Sequence, residues 1–207
     1  MESTSTYVSD IAFSPAVKAL QARKGSRRGY ARMERGGSWQ ERIAPDLKGF
    51  IEAQTSIFLA TASAAGQPYM QHRGGPAGFL HVLDDRTIAF ADFAGNRQYI
   101  TLGNLSENPQ AQMFLIDYAT QQRIKIWGKA RVVEDDAALL MRLTAPDYKA
   151  RVEQAIFFTV SAWDANCPQH IPQRFDAADV TAALAERDRR IVELEAELER
   201  LRGGSTR

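Results

Sequence analysis

Apolar and polar positions change rhythm along this chain, and the changes mark its elements. Met1 to about Ser14 is polar and predicts a loose start. From there Ala16, Val17 and Leu20 form one helical stripe, with Ser14 placed to cap and Pro15 suited to the first helical position. Gly25 stops this helix. A basic segment follows, carrying Arg23, Lys24, Arg27, Arg28, Arg32 and Arg35, and ends at Gly36-Gly37. Leu47, Phe50 and Ile51 then recur at helical spacing and predict a second helix around Pro45 to Gln54.

From Ser56 the period shortens to that of strands. Ile57 to Thr61 is short and apolar, and Ala65-Gly66-Gln67-Pro68 turns it into a second extended piece from Tyr69 to Arg73, ended by Gly74-Gly75-Pro76. Phe79 to Leu83 and Thr87 to Asp92 predict two strands joined at Asp84-Asp85. A short helix fits Arg97 to Glu107, closed by Asn108-Pro109. Long strands follow at Ala111 to Tyr118 and Arg123 to Val133, then a helix from Asp135 to Leu143 and a last strand from Ala155 to Ala162. Six or seven strands broken by short helices, with no regular strand–helix alternation, predict a mainly β fold: an antiparallel barrel with peripheral helices.

The end of the chain reads differently. Between Asp179 and Arg202 the composition turns to Ala, Glu, Arg and Leu. Leu184, Ile191, Leu194, Leu198 and Leu201 fall on alternating heptad steps, with Arg187 interrupting the seam. The narrow stripe predicts an amphipathic helix that pairs as a coiled coil; the alternatives are a helix lying on the barrel and one that recruits a partner protein. The chain therefore divides into an N-terminal helical, basic arm (1–40), a barrel domain (41–176) and a C-terminal helix (177–207).

Composition narrows the function. The chain has 207 residues, 44% hydrophobic and 25% charged, with a formal net charge of +1 that gives no global field for nucleic acid or an anionic membrane. The basic arm is short and contains Glu34, so nucleic acid is not expected; folding over the active site or a partner subunit is. No stretch has the length or apolarity of a membrane span or the pattern of a signal peptide, so a cytoplasmic location is expected. The single cysteine, Cys167, excludes an internal disulfide framework and is read as structural, the alternative being a redox thiol. His72, His81 and His170 are too scattered for metal-ligand spacing, and no metal is expected. Walker, GxSxG, HExxH and CxxC signatures are all absent.

Two segments stand out chemically. Gln71-His72-Arg73-Gly74-Gly75 ends a strand in polar side chains and then two glycines that permit close approach of a backbone or ligand. Asp92-Phe93-Ala94-Gly95-Asn96-Arg97-Gln98-Tyr99 runs a strand through a glycine turn into a helix, where free N–H groups beside Arg97 would form an anion site. With Arg123 and Lys125 on a later strand, these point to a phosphate-bearing ligand. The lack of a base-and-nucleophile pair suits a protein whose cofactor carries the reactivity.

With these segments, Gly66-Gln67-Pro68-Tyr69, Asn108-Pro109, Met113-Phe114-Leu115-Ile116 and Arg123-Ile124-Lys125-Ile126-Trp127-Gly128-Lys129-Ala130, the chain resembles the pyridoxamine 5′-phosphate oxidase-related FMN-binding split-barrel proteins. The resemblance implies a split antiparallel β-barrel of about six strands that dimerises with FMN at the subunit interface. By it, Arg97 matches the phosphate-contacting arginine. Gln98 stands where the authentic oxidases tend to have lysine, and Arg73 would replace the missing charge. Arg123 falls where a flavin-contacting glutamine is expected. Gln71, His72, Asp92, Asn96, Lys125, Trp163 and Arg174 complete the expected cofactor contacts, and His170 is the candidate acid or orienting group. FMN is expected rather than F420, which related barrels also bind, or haem, for which His72 or His170 would be a ligand. The loop Gln169-His170-Ile171-Pro172-Gln173-Arg174 departs from the oxidases' substrate-gripping pattern. The expected function is therefore FMN-dependent oxidation or reduction of another small molecule, the alternative being a non-catalytic flavin- or haem-binding module.

Overall fold

A computed structural model describes residues 7–204; the first six residues of the expected loose start lie outside the described residues. The elements run as a short 3-10 turn (Val8–Ile11), α1 (Pro15–Arg23), α2 (Arg27–Arg35), α3 (Pro45–Ala53), β1 (Ser56–Ala62), β2 (Pro68–Gly74), β3 (His81–Val82), β4 (Thr87–Phe93), α4 (Ile100–Glu107), β5 (Gln110–Asp117), β6 (Gln122–Val133), α5 (Ala137–Arg142), β7 (Val152–Asn166) and α6 (Ala177–Gly204). They form two compact units. One holds the chain to Asp117 with Gln122–Gln169; the other holds Tyr118–Gln121 with the chain from His170 onward.

In the first unit all strand pairs are antiparallel, in the order β2-β1-β5-β6-β7-β4-β3. Alternation drives its closure. Ile57 and Leu59 of β1, Met113 and Leu115 of β5, Ile124 and Ile126 of β6, Ile156 and Phe158 of β7, and Ile88 and Phe90 of β4 belong to one buried cluster. β1 and β4 lie on opposite sides of β5, β6 and β7 in the sheet, so they share a core only because the sheet curls on itself. Its edges β2 and β3 do not pair, and the result is a split antiparallel barrel, as expected. Leu47 and Ile51 of α3 are buried in the same core.

Gly128 has to be glycine. At Gly128 the β6–β7 register shifts, and a Cβ there would lie 2.1 Å from the Thr159 carbonyl oxygen and 2.6 Å from the Phe158 ring. Only glycine lets the two backbones approach so closely.

The helices follow their local signals where these are strong. Ser14 Oγ accepts from the Val17 N–H at 3.3 Å, with Pro15 in the first turn. Asp136 caps α5 by accepting from the Leu139 N–H at 2.9 Å. The basic segment is itself a helix, α2, which no apolar period announces. Arg27 turns inward, pairing with Glu34 and donating to Gln21 at 2.5 Å, and the Glu34 side chain is only 2% exposed. Aromatic rings tie this arm to the sheet: Phe13 meets Tyr30 at 5.2 Å and Trp39 at 5.3 Å, and Trp39 stacks on Trp127 at 4.8 Å.

Three boundaries differ from the sequence reading. β3 shrinks to two residues, because Phe79 and Leu80 are buried in the core rather than paired. β7 extends to fifteen residues, its polar ends having masked it as loop. α4 begins at Ile100, not at Arg97. In the second unit, Gln121 Nε2 donates to the Ile171 carbonyl at 2.6 Å, and Gln173 Nε2 to that of Ala119 at 3.0 Å. α6 follows as a helix of 28 residues. No helix among the described residues is long and apolar enough to cross a membrane.

Candidate functional site

A cavity of about 40 Å³ lies where the end of β2, the end of β4, the loop after it and the start of α4 converge. Gln71, Arg73, Asp92, Asn96, Arg97 and Gln98 all line it. Strand parity selects them: Tyr69, Gln71 and Arg73 are alternate residues of β2 and share a face. His72 is on the other face, and it does not line the cavity. Its Nε2 lies 2.7 Å from Ser56 Oγ, and its ring meets Phe58 edge-on at 5.8 Å.

The floor of the cavity is a buried ion pair. Arg73 Nη1 is 2.5 Å from Asp92 Oδ1, with the side chains 14% and 4% exposed. The other oxygen, Oδ2, accepts from Gln154 Nε2 at 2.7 Å, a contact set by the β4–β7 register that places Asp92 opposite Gln154. Arg73 Nε is buried with no acceptor, and Asp92 Oδ1 meets Arg73 as an ion pair without hydrogen-bond alignment. One wall is polar and tightly organised: Gln71 Oε1 accepts from Thr101 Oγ1 at 3.2 Å and from the Tyr69 hydroxyl at 3.3 Å.

The other wall is the loop between β4 and α4. Arg97 and Tyr99 both hold left-handed backbone, with φ of 58° and 54°. Neither is glycine, so each conformation costs about 1–3 kcal/mol that its surroundings must offset. Asn96 Oδ1 steadies the turn by accepting from the Gln98 N–H at 3.2 Å. α4 starts with Tyr99 at its cap and no side-chain cap hydrogen bond. The first-turn N–H groups, which a helix cannot satisfy internally, therefore have no capping side chain beside the Arg97 guanidinium. The expected helix start at Arg97 is thus corrected: Arg97 sits in the strained turn ahead of the helix.

The remaining expected site residues lie elsewhere. Arg123 and Lys125 alternate with the buried Ile124 and Ile126 on β6, so they point to the outside of the barrel. Lys125 Nζ is 3.6 Å from Asp164 Oδ2 and 5.3 Å from the Trp127 ring centre. Burial raises the Asp164 carboxyl above its ordinary range, and Lys125 only partly offsets this. Trp163 packs against the core and donates from Nε1 to the Arg42 carbonyl at 2.9 Å. Arg174 belongs to the second unit, where its guanidinium lies 4.8 Å from the Tyr118 ring centre. His170 is also in that unit, exposed and with φ of 66°. Cys167 is a free, exposed thiol.

Sequence reasoning missed Tyr69, Thr101 and Gln154. Tyr69 follows from Gln71 and Arg73 by strand parity alone. Gln154 is 62 residues from Asp92, and only the strand register joins them.

The family model for pyridoxamine 5′-phosphate oxidase matches residues 43–197. No curated protein matches the chain. Similar solved structures include HupZ from Group A Streptococcus, 18% identical over 64% of this chain and 99% of that one, with a TM-score of 0.48. An FMN-binding protein from Syntrophomonas wolfei is 12% identical over 72% and 97%, with a TM-score of 0.48. HutZ, the heme storage protein from Vibrio cholerae, is 19% identical over 57% and 89%, with a TM-score of 0.39. At these scores the assignment rests on the sequence match, which covers well over half of the chain: it belongs to the pyridoxamine 5′-phosphate oxidase family.

Proposed function

We propose that this protein binds FMN and acts as an oxidoreductase on a small molecule. The observation that carries the reading is the cavity's cationic lining: the half-buried Arg73 guanidinium, paired with Asp92, beside the exposed Arg97 and the uncapped start of α4. A phosphate monoester fits that donor set, since its oxygens accept from guanidinium and amide N–H groups together. Asp92 neutralises part of the Arg73 charge, so Arg97 supplies the uncompensated positive charge.

Size also matters. At about 40 Å³ the cavity is far smaller than the roughly 300–1,000 Å³ of pockets that hold whole cofactors. The sugar chain and ring of the cofactor must therefore extend beyond it. We assign them to a homodimer interface, with Arg123 and Lys125 as the outward-facing basic residues available to meet the ring. When bound, the flavin supplies the hydride and electron transfer. The chain's own residues fix the phosphate, hold Gln71 in place through Tyr69 and Thr101, and set the charge near the ring. A guanidinium at Arg123 would stabilise negative charge there.

Haem is the weaker reading, because His72 Nε2 is already engaged by Ser56 and neither His72 nor His170 lines the cavity. Titration of the purified protein with FMN, followed by flavin fluorescence, tests the assignment. Arg97→Ala should weaken binding markedly and Arg123→Gln should shift the flavin potential with smaller loss of affinity. Equal affinity of wild type, Arg97→Ala and Arg73→Ala would overturn the phosphate assignment.

A further inference from the structure

We propose that α6 is a self-docking element: two copies of this chain pair their C-terminal helices in parallel, as a two-stranded coiled coil. This inference is independent of the cofactor reading. Val180, Leu184, Ile191, Leu194, Leu198 and Leu201 lie on one stripe of the helix, and every one is 42–66% exposed. Their spacing of four, seven, three, four and three residues, with Arg187 inside the gap of seven, makes Leu184, Ile191 and Leu198 the a positions of a heptad, and Val180, Arg187, Leu194 and Leu201 the d positions. An a/d stripe this narrow matches a partner helix rather than a broad surface. Over Val180 to Leu201 it runs about 30 Å at ~1.5 Å per residue.

The flanking charges identify the occupant and its direction. In a parallel pair each g position faces the e position five residues on in the other helix. Here Arg190 faces Glu195, and Glu197 faces Arg202. Both pairings are attractive, and two-fold symmetry makes four. In an antiparallel pair that keeps every a opposite a d, Leu184 faces Leu201; Asp188 then faces Glu195, which is repulsive, and Arg190 faces Glu197, which is attractive, so the charges cancel instead of adding. The one polar seam residue agrees with the parallel choice. A d side chain packs beside the e residue of the facing helix, which puts Arg187 against Asp188 of the second copy. Arg190 holds Glu193 of its own helix at 2.9 Å in a pair about two-thirds exposed, a weak contact that docking can exchange.

Disulfide trapping in the full-length protein tests this, with Cys167→Ser removing the sole native thiol. Leu201→Cys places cysteines at facing d positions and should give a covalent dimer under mild oxidation. Arg189→Cys, on the outer face, should stay monomeric on a non-reducing gel, since outer faces lie about 20 Å apart, well beyond the ~7 Å Cα limit of a disulfide. Arg190→Glu should slow trapping at Leu201→Cys, and adding Glu195→Arg should restore it. Trapping at Leu201→Cys no greater than at Arg189→Cys overturns self-pairing, whether α6 then takes a foreign helix or none. Preferential trapping in a mixture of Leu184→Cys and Leu201→Cys chains overturns the parallel arrangement.

Discussion

Replacing Asp92 with alanine should reveal how much the floor of the site contributes to folding. The carboxylate is 4% exposed, pairs with Arg73 at 2.5 Å and accepts from Gln154 at 2.7 Å. Its removal strands a guanidinium that is 14% exposed and leaves the Gln154 amide without its acceptor. Breaking one partner of a buried pair costs about 3–5 kcal/mol, a figure that already includes most of the stranded amide's penalty. For a chain of this size about 2–4 °C of melting temperature follows each kcal/mol, so Asp92→Ala should lower Tm by roughly 6–20 °C. Asp92→Asn keeps an oxygen for Gln154 and should cost less. It also releases the Arg73 charge, so phosphate and FMN should bind more tightly. The double variant Arg73→Met/Asp92→Leu removes both charges and should recover most of the stability while losing phosphate affinity. Thermal unfolding by circular dichroism in the absence of ligand measures all three. A fall of under about 2 °C for Asp92→Ala, or a double variant no more stable than the single, would refute the reasoning.

Gly128→Ala drives a methyl group into the Thr159 carbonyl, 2.1 Å away, and should destabilise by about 1–3 kcal/mol or more. Gly49→Ala, in α3 with nothing within 4 Å, should instead gain about 0.5–1 kcal/mol in the same melting assay. In the arm, Glu34→Ala leaves Arg27 without its buried partner, the Glu34 side chain being 2% exposed, and should cost about 3–5 kcal/mol; chemical denaturation reads it directly. Burial holds the folded Asp164 carboxyl above its unfolded value, so the folded state keeps that proton longer and stability falls as pH rises through that window. Asp164→Asn should flatten the stability profile from about pH 4 upward, and a profile superimposable on wild type would contradict the assignment.

The parts of the fold legible in the sequence are those with local causes. Ser14-Pro15 specifies the start of α1 through a cap and a preset φ, and alternation around Ile57, Leu59, Ile124 and Ile126 specifies strands. α2 was opaque because its stability comes from Arg27 and Glu34 rather than an apolar stripe. Phe79 and Leu80 look like strand residues, but burial alone explains their apolarity. At the site, the two chosen segments do converge in one cavity through Gln71, Arg73, Asp92, Asn96, Arg97 and Gln98. Strand parity separates His72 from Gln71 and Arg73 and places it on the opposite face of β2. The left-handed turn at Arg97 and Tyr99 had no such signal, since neither residue favours φ above zero. The pairing of Asp92 with Gln154 depends on which strand lies beside β4, which no local pattern encodes.

The most direct test of the central claim is the absorption spectrum of the freshly purified protein, with mass identification of whatever heat releases. The account predicts the two-banded spectrum of an oxidised flavin and FMN in the supernatant, or stoichiometric uptake of added FMN by colourless protein with loss of that uptake in Arg97→Ala. Protein that carries no flavin and fails to bind added FMN would contradict it.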